Sequence, residues 1–188
     1  LSIKNGDISM FIHEHYNYFE ANSLISTVKQ AGFKVLEVVK SQSSGVLYCA
    51  AVKTKPERHD MTQKYTGKRF TEFLYSHNKV LSSLKTRLSR IHEVPGYTVG
   101  FYVPLRALPY LALIDTTHKY RFFDDDDGVH KKYIDGHDVP IENFSDLAEN
   151  PVSEVFVMSF EFGEKIANKI RQYIPHTKVT TLSVLCGE

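Results

Sequence analysis

The first third of the chain has the hydrophobic pattern of a helix followed by two strands. Residues 17–31 place apolar side chains on one face, which predicts a helix capped by Asn22 or Ser23. Residues 33–41 and 46–54 are apolar and β-branched, with a Ser/Gly turn between them, so we predict a hairpin-like strand pair. Because a lone hairpin is marginal in water, we expect this segment to be the end of a larger sheet.

A long amphipathic helix is predicted for the middle of the chain. Apolar residues recur at spacings of three and four from Phe70 to Ile91, and we expect this stripe to pack in the core. The composition becomes charged and polar around Pro56, which predicts a linker before the helix. Cations outnumber anions from Lys53 to Arg90, and we interpret this basic face as a solvated surface in preference to an anion-binding one.

Strand and helix patterns alternate over the rest of the chain. The predicted strands are 97–103, 119–127, 154–160 and 178–186, and the predicted helices are 104–114, 141–150 and 163–174. Such alternation predicts an α/β fold in which a small, mostly parallel sheet is covered by helices. We therefore divide the chain into residues 1–56, a helical arm at 57–93 and an α/β domain at 94–188.

The composition is that of a soluble globular protein. Hydrophobic residues make up 42% and charged residues 24% of the 188 residues. Lys and Arg number 23 against 22 Asp and Glu, and no apolar run could span a bilayer, so we expect neither nucleic acid nor membrane as a partner. Cys49 and Cys186 are predicted to be buried thiols of a reducing compartment, which favours a cytoplasmic protein. The chain begins at Leu1 and not at Met, so we expect a piece of a longer protein.

His13, Glu14 and His15 stand together just before an aromatic run and are the first candidates for chemistry. Residue types alone favour a polar strand end, whose imidazoles hydrogen-bond to the backbone, over a catalytic loop. A zinc site is the poorer interpretation, because no further Cys or His ligands stand at metal-binding spacing.

A family resemblance changes that balance. The pattern HEHxxYF at residues 13–19, a helix ending in AGF and the strand pair after it resemble the end of the methyltransferase domain of sugar C-methyltransferases. Those enzymes use S-adenosylmethionine to methylate a nucleotide-linked keto-deoxysugar. In the family a long helix and a Rossmann-like C-terminal domain follow, which matches residues 57–188. The resemblance implies that residues 1–56 are the tail of a class I methyltransferase sheet and that residues 94–188 form a Rossmann-like domain.

A second stretch extends the resemblance into the C-terminal domain. The family carries a motif there whose counterpart is DDDDGVHKKYIDGHDVPI, and Asp124, Gly136, Pro140 and Ile141 match it. The chain also departs from the family at several positions. Ile12 stands where a tyrosine is usual, Val129 where a lysine is usual, and Phe160 and Glu161 where a Trp-Asn pair is usual. The turn GFYVPL lacks the glycine-rich pattern, so the resemblance implies a diverged branch.

The resemblance also implies roles for the residues of the first motif. C-methylation beside a ketone needs a base that removes the α-proton, and a histidine of near-neutral pKa suits that step. His15 is the implied base, with Glu14 and His13 orienting it or binding sugar hydroxyls, and Tyr18 is an implied substrate contact.

Two further residues are candidates for binding the substrate. Asp124 begins an acidic run, 124–127, that ends the second strand of the α/β domain, where a nucleotide-binding unit holds ribose hydroxyls. Solvated loop acids are favoured over ribose or Mg²⁺ binding, because the phosphate-binding glycine turn is absent. Arg106 lies near the start of the first helix of the domain and could meet a sugar-nucleotide phosphate, although an ordinary helix cation ranks first.

The methyl donor's binding motif is missing from the sequence. Class I methyltransferases bind S-adenosylmethionine with a glycine-rich turn after the first strand, and only twelve residues precede the HEH loop. We therefore expect the C-terminal portion of a methyltransferase that needs S-adenosylmethionine and a nucleotide-sugar but is inactive alone. The alternative is a non-catalytic Rossmann-like domain that binds a nucleotide-sugar or a protein partner.

Overall fold

The described residues form two compact units: residues 17–41, 46–55 and 67–68 form the first, and residues 69–114 and 118–187 together with residues 5–9 form the second. A computed structural model describes residues 5–9, 17–41, 46–55, 67–114 and 118–187. The first unit contains a helix and a strand pair, and the second contains a parallel sheet with the remaining helices.

Helix α1 (Ala21–Gln30) opens the first unit and begins four residues later than the sequence predicts. Its N-cap is Glu20, whose backbone N–H donates to the Ser23 hydroxyl at 3.0 Å. The predicted caps are therefore wrong, because Asn22 and Ser23 both lie inside the helix. Ser23 contributes from the third helical position, since its short hydroxyl reaches back to the cap backbone.

Strands β1 (Phe33–Lys40) and β2 (Leu47–Lys53) pair in antiparallel fashion, which confirms the predicted strand pair. This unit buries little apolar surface. None of the residues of α1 is buried, and Leu36 and Tyr48 are each 61% exposed.

Helix α2 (Lys68–His92) confirms the predicted long helix. Its apolar stripe packs in the core of the second unit over its C-terminal part, at Val80, Leu84, Leu88 and Ile91. The stripe is exposed near the start of the helix, where Phe70 and Leu74 face solvent. Among the described residues, no helix is long and apolar enough to cross a membrane.

The sheet of the second unit has five strands in the order β5-β4-β3-β6-β7, and every neighbouring pair is parallel. The strands are β3 (Val99–Tyr102), β4 (Arg121–Phe123), β5 (Ile141–Glu142), β6 (Glu154–Val157) and β7 (Lys178–Thr181). The helices that join or follow them are α3 (Pro104–Leu111), α4 (Phe144–Glu149), α5 (Gly163–Tyr173) and α6 (Leu182–Gly187). This arrangement confirms the α/β class and is a Rossmann-like fold.

Helices cover both faces of the sheet, as a parallel sheet requires. Successive strand residues point to opposite faces, so Phe101 joins one hydrophobic cluster and Tyr102 joins the other. The first cluster packs against α2, α3 and α6, and the second packs against α4 and α5.

Two predictions about the bounds of elements fail for local reasons. The strand predicted at 178–186 ends at Thr181, and the last residues form α6. Leu182 and Leu185 are both fully buried at helical spacing, and the Thr181 hydroxyl accepts the Val184 N–H at 3.4 Å, so tertiary packing overrides strand propensity. The helix predicted at 141–150 begins only at Phe144, because Asn143 caps it, and the first two residues of the predicted range form the short strand β5.

The predicted burial of the two cysteines is only partly correct. Cys49 and Cys186 are both free thiols, and each is partly exposed. Cys186 packs against the first hydrophobic cluster from its edge.

The close approach of β3 to its neighbours yields a stability prediction. A Cβ at Gly100 would lie 2.6 Å from Cε2 of the buried Phe123, so Gly100→Ala should lower the free energy of unfolding by about 1–3 kcal/mol through overpacking. Urea denaturation measures this. In the control Gly163→Ala the new Cβ meets Thr181 at an ordinary 3.7 Å, so the free energy of unfolding should not fall and could rise by up to about 1 kcal/mol. Equal stability of the two variants would contradict the packing at β3.

Candidate functional site

The strand order defines a crevice at the carboxyl ends of β3 and β6. From β3 the chain moves to β4 and β5 on one side, and from β6 it moves to β7 on the other. The helices of these two connections lie on opposite faces of the sheet, so their first turns flank a gap. Ligands of open parallel sheets bind at this kind of reversal point.

Backbone hydrogen bonds fix the conformation of the turn after β3. Val103 has a left-handed conformation with φ 62°, which is unusual for a β-branched residue. The Val103 N–H donates to the Phe123 carbonyl at 3.0 Å, and the Arg106 N–H donates to the Val103 carbonyl at 3.1 Å. Pro104 at the first helical position has no N–H. The turn therefore offers few of the backbone donors that a glycine-rich phosphate loop presents.

Arg106 lies in the first turn of α3, as predicted. Its guanidinium carbon is 5.9 Å from the centroid of the Phe162 ring, and Phe162 is the N-cap of α5. Arg106 makes no ion pair with any of the described residues. A half-buried cation over an aromatic ring thus joins the two sides of the crevice.

The loop after β6 adds polar groups that the sequence did not identify as site residues. Ser159 is fully buried, and its hydroxyl accepts the Phe162 N–H at 3.1 Å. Glu161 carries a buried Oε1 that receives no hydrogen bond within the described part of the chain. Their position directly after a buried strand is the signal that could have identified them. From the sequence, Glu161 was noted only because it differs from the motif of the family that the chain resembles.

The acidic run after β4 divides into residues with different environments. Asp124 is partly buried, and burial raises the pKa of its carboxyl although N–H donors from Asp126 and Asp125 act in the opposite direction. Asp126 and Asp127 are exposed, which agrees with the interpretation as solvated loop acids. No group of three or more potential metal ligands occurs within the described ranges.

Asp125 joins the run to distant parts of the chain through its side chain. Its Oδ1 accepts the Tyr102 hydroxyl and the Lys169 ammonium, each at 2.7 Å. Burial by itself raises the pKa of the Asp125 carboxyl, but the hydrogen bonds from Lys169 and Tyr102 outweigh it and hold the pKa below its usual range. Asp125 therefore stays charged and links β3, β4 and α5 at this edge.

Only part of the predicted site lies within the described residues. His13, Glu14 and His15 lie outside the described residues, as does Ile12. Tyr18 belongs to the first unit and is 48% exposed.

Arg106 and Asp124 lie at the same edge of the sheet, one after β3 and the other after β4. Together with the Phe162 ring and Glu161, this edge offers a cation for a phosphate, an aromatic face and hydrogen-bond acceptors for hydroxyls. A scan against models of protein families finds no match to the chain, and a search of curated proteins finds none either.

The charged contact at Asp125 can be tested by removing one hydroxyl. Tyr102→Phe should raise the pKa of Asp125 and lower the free energy of unfolding by about 1 kcal/mol at neutral pH. Since the folded-state pKa of Asp125 is lowered, its contribution is present above the ordinary carboxyl range and is lost as the pH falls through that pKa. The difference between the proteins should therefore shrink in acid.

NMR titration of the Asp125 carboxyl and urea denaturation give the two readouts. Tyr173→Phe is the matched control, since Tyr173 is 65% exposed on α5. An unchanged pKa of Asp125 in Tyr102→Phe would show that the hydroxyl does not hold the carboxylate.

Proposed function

We propose that the chain is the C-terminal portion of an S-adenosylmethionine-dependent C-methyltransferase-like protein that acts on a nucleotide-linked deoxysugar. In this proposal the second unit binds the nucleotide part of the substrate at the crevice between β3 and β6. The supporting observation is the strand order, since it brings Arg106 and Asp124 to one edge although 17 positions separate them in the sequence.

Each group at the crevice has a role that suits a nucleotide-sugar. The Arg106 guanidinium binds a phosphate oxygen with charge-assisted hydrogen bonds, which are roughly twice as strong as neutral ones. Asp124 accepts hydrogen bonds from ribose or sugar hydroxyls, and the buried Oε1 of Glu161 gains the donor that it lacks among the described residues. The Phe162 ring provides an apolar face beside Arg106.

The first unit supports the methyltransferase part of the proposal through its exposed apolar surface. A helix and two strands with no buried residue in α1 and with Leu36 and Tyr48 each 61% exposed cannot form a stable core by themselves. A larger sheet that pairs with or packs against the hairpin would bury this surface. The tail of a class I methyltransferase sheet has this relation to the rest of its domain.

The proposed chemistry rests on the HEH motif. His15 removes the proton next to the ketone of the sugar, and the resulting enolate carbon is the nucleophile. Glu14 and His13 orient the imidazole or bind sugar hydroxyls. When bound, S-adenosylmethionine would supply the methyl group to the enolate carbon, with cleavage of the sulfur–methyl bond and S-adenosylhomocysteine as the leaving group. The turn after β3 does not fit that donor, because Val103 and Pro104 stand where a glycine-rich loop would be needed, so we assign the donor to a part of the full-length protein outside this chain.

A non-catalytic domain that binds a nucleotide-sugar or a protein partner is the second candidate. The hydrogen-bonded turn at Val103 and the pairing of Asp125 with Lys169 favour the form that binds a protein partner, since these groups already have partners within the chain. The region upstream of Leu1 in the full-length protein separates the two candidates. A glycine-rich strand–turn–helix with a following acid there supports the enzyme.

The binding role of Arg106 can be tested on this chain. Arg106→Gln should weaken the binding of a nucleotide-sugar about tenfold, because one charge-assisted hydrogen bond is lost. Isothermal titration calorimetry with a panel of nucleotide-sugars measures this. Arg171→Gln is the control, since Arg171 lies on the last turn of α5. Equal affinity of the two variants would remove Arg106 from the site.

The catalytic role of His15 can be tested in the full-length protein. His15→Asn should abolish methyl transfer to a nucleotide-sugar while leaving the affinity for S-adenosylmethionine unchanged, because the base acts on the acceptor. Turnover assays and calorimetry give the two quantities. If the full-length protein fails to bind S-adenosylmethionine, the methyltransferase proposal is wrong, and unchanged turnover in the variant would make His15 structural.

A further inference from the structure

A cavity lies at the amino edge of the sheet, at the opposite edge from the crevice. It has a volume of about 640 Å³ and lies between the C-terminal half of α2 and the first residues of β6 and β7. A cavity of this size suits a small ligand. None of the residues considered for the carboxyl edge lines it.

One wall of the cavity contains a buried carboxylate whose two oxygens both accept hydrogen bonds. Glu154 is fully buried, and its Oε1 accepts the Arg87 Nε at 2.7 Å and the Thr180 hydroxyl at 2.6 Å. Its Oε2 accepts the Arg87 Nη2 at 3.3 Å and the Tyr97 hydroxyl at 3.1 Å. These four donors occupy both oxygens, so the negative charge is neutralised within the wall. The contacts with Glu154 also fix the position of the Arg87 guanidinium.

The other charged groups of the cavity are cations. Arg90 and Lys178 line it, both are exposed, and neither makes an ion pair with any carboxylate of the described residues. The lining thus has three cations, Arg87, Arg90 and Lys178, against one carboxylate, which leaves a net charge of +2.

Hydroxyl groups complete the lining on the α2 side. Ser82, Thr86 and Arg90 follow one another at intervals of four residues, and Ser83 and Arg87 form the neighbouring row. Residues four apart lie on the same face of a helix, so two rows of donors face the cavity together. Arg90 also lies in the last turn of α2, where a cation offsets the negative end of the helix dipole, but it remains a donor toward the cavity.

We propose that this cavity is a binding site for a small phosphate-bearing anion, such as a phosphate ester or a diphosphate. An arginine and a lysine from different elements, with hydroxyl donors between them, match the several oxygens of a phosphate group. Glu154 does not repel the anion, because Arg87 and the hydroxyls of Thr180 and Tyr97 already compensate its charge. The site is separate from the crevice that carries Arg106, and it does not depend on the proposed function.

The test is isothermal titration calorimetry of the full chain with inorganic pyrophosphate. We expect binding of one pyrophosphate that is weakened about tenfold by Arg90→Gln and about tenfold by Lys178→Gln. Both side chains are exposed, so urea denaturation should show unchanged stability of the variants. Lys165→Gln, on the exposed face of α5, is the matched control and should leave the affinity unchanged.

The Arg106→Gln variant separates this site from the crevice. Retained affinity for pyrophosphate in Arg106→Gln, with loss in Arg90→Gln and Lys178→Gln, supports the amino-edge site. Loss in Arg106→Gln alone, an equal loss in the Lys165→Gln control, or no binding at all would overturn it. Binding of an acidic peptide that depends on Arg90 and Lys178, without binding of pyrophosphate, would likewise overturn it in favour of a protein-docking surface.

Discussion

The parallel pairing of β3 with both β4 and β6 is the constraint on which the second unit depends. A central strand in an all-parallel sheet is covered on both faces, so its residues are apolar or small, and all four residues of β3 are buried. Because the two neighbours of β3 lead the chain in opposite directions, the helices after β3 and β6 must lie on opposite faces. The crevice at the carboxyl edge, and the meeting of Arg106 with the Phe162 ring across it, follow from this pairing.

Each edge of the sheet has a carboxylate that is hydrogen-bonded to a basic side chain and a tyrosine, but the two carboxylates differ in burial. At each edge a carboxylate is held by a basic side chain and a tyrosine: Glu154 by Arg87 and Tyr97, and Asp125 by Lys169 and Tyr102. Glu154 is fully buried and is joined on both oxygens, so it anchors α2 to β6. Asp125 is exposed to solvent and anchors α5 beside the crevice. A pair in contact with solvent is screened and weaker than a buried one that keeps all its partners.

Local patterns were enough to predict most of the elements, but not how distant segments come together. Helix α2 was predicted because apolar residues recur at helical spacing along its whole length. The strand pair β1–β2 was predicted because two apolar, β-branched runs flank a Ser/Gly turn. The end of β7 was missed because the buried packing of Leu182 and Leu185 decides it. Asp124 was found because it begins the acidic run that ends a predicted strand, and Arg106 was found because it lies near the start of the helix predicted after another strand. The amino-edge cavity was not found, since Glu154 and Lys178 lie far from α2 in the sequence, and the basic face of α2 was therefore interpreted as merely solvated.

The turn at Val103 fixes how the carboxyl edge meets a ligand. A left-handed conformation at a β-branched residue costs roughly 1–2 kcal/mol, and it persists only where the surroundings determine it. Here the flanking backbone hydrogen bonds and the fixed φ of Pro104 do so. A ligand at this edge therefore finds a turn that is already ordered, and little conformational entropy is lost there on binding. The same rigidity limits adaptation, so selectivity at this edge rests on the shape of the turn as well as on its charges.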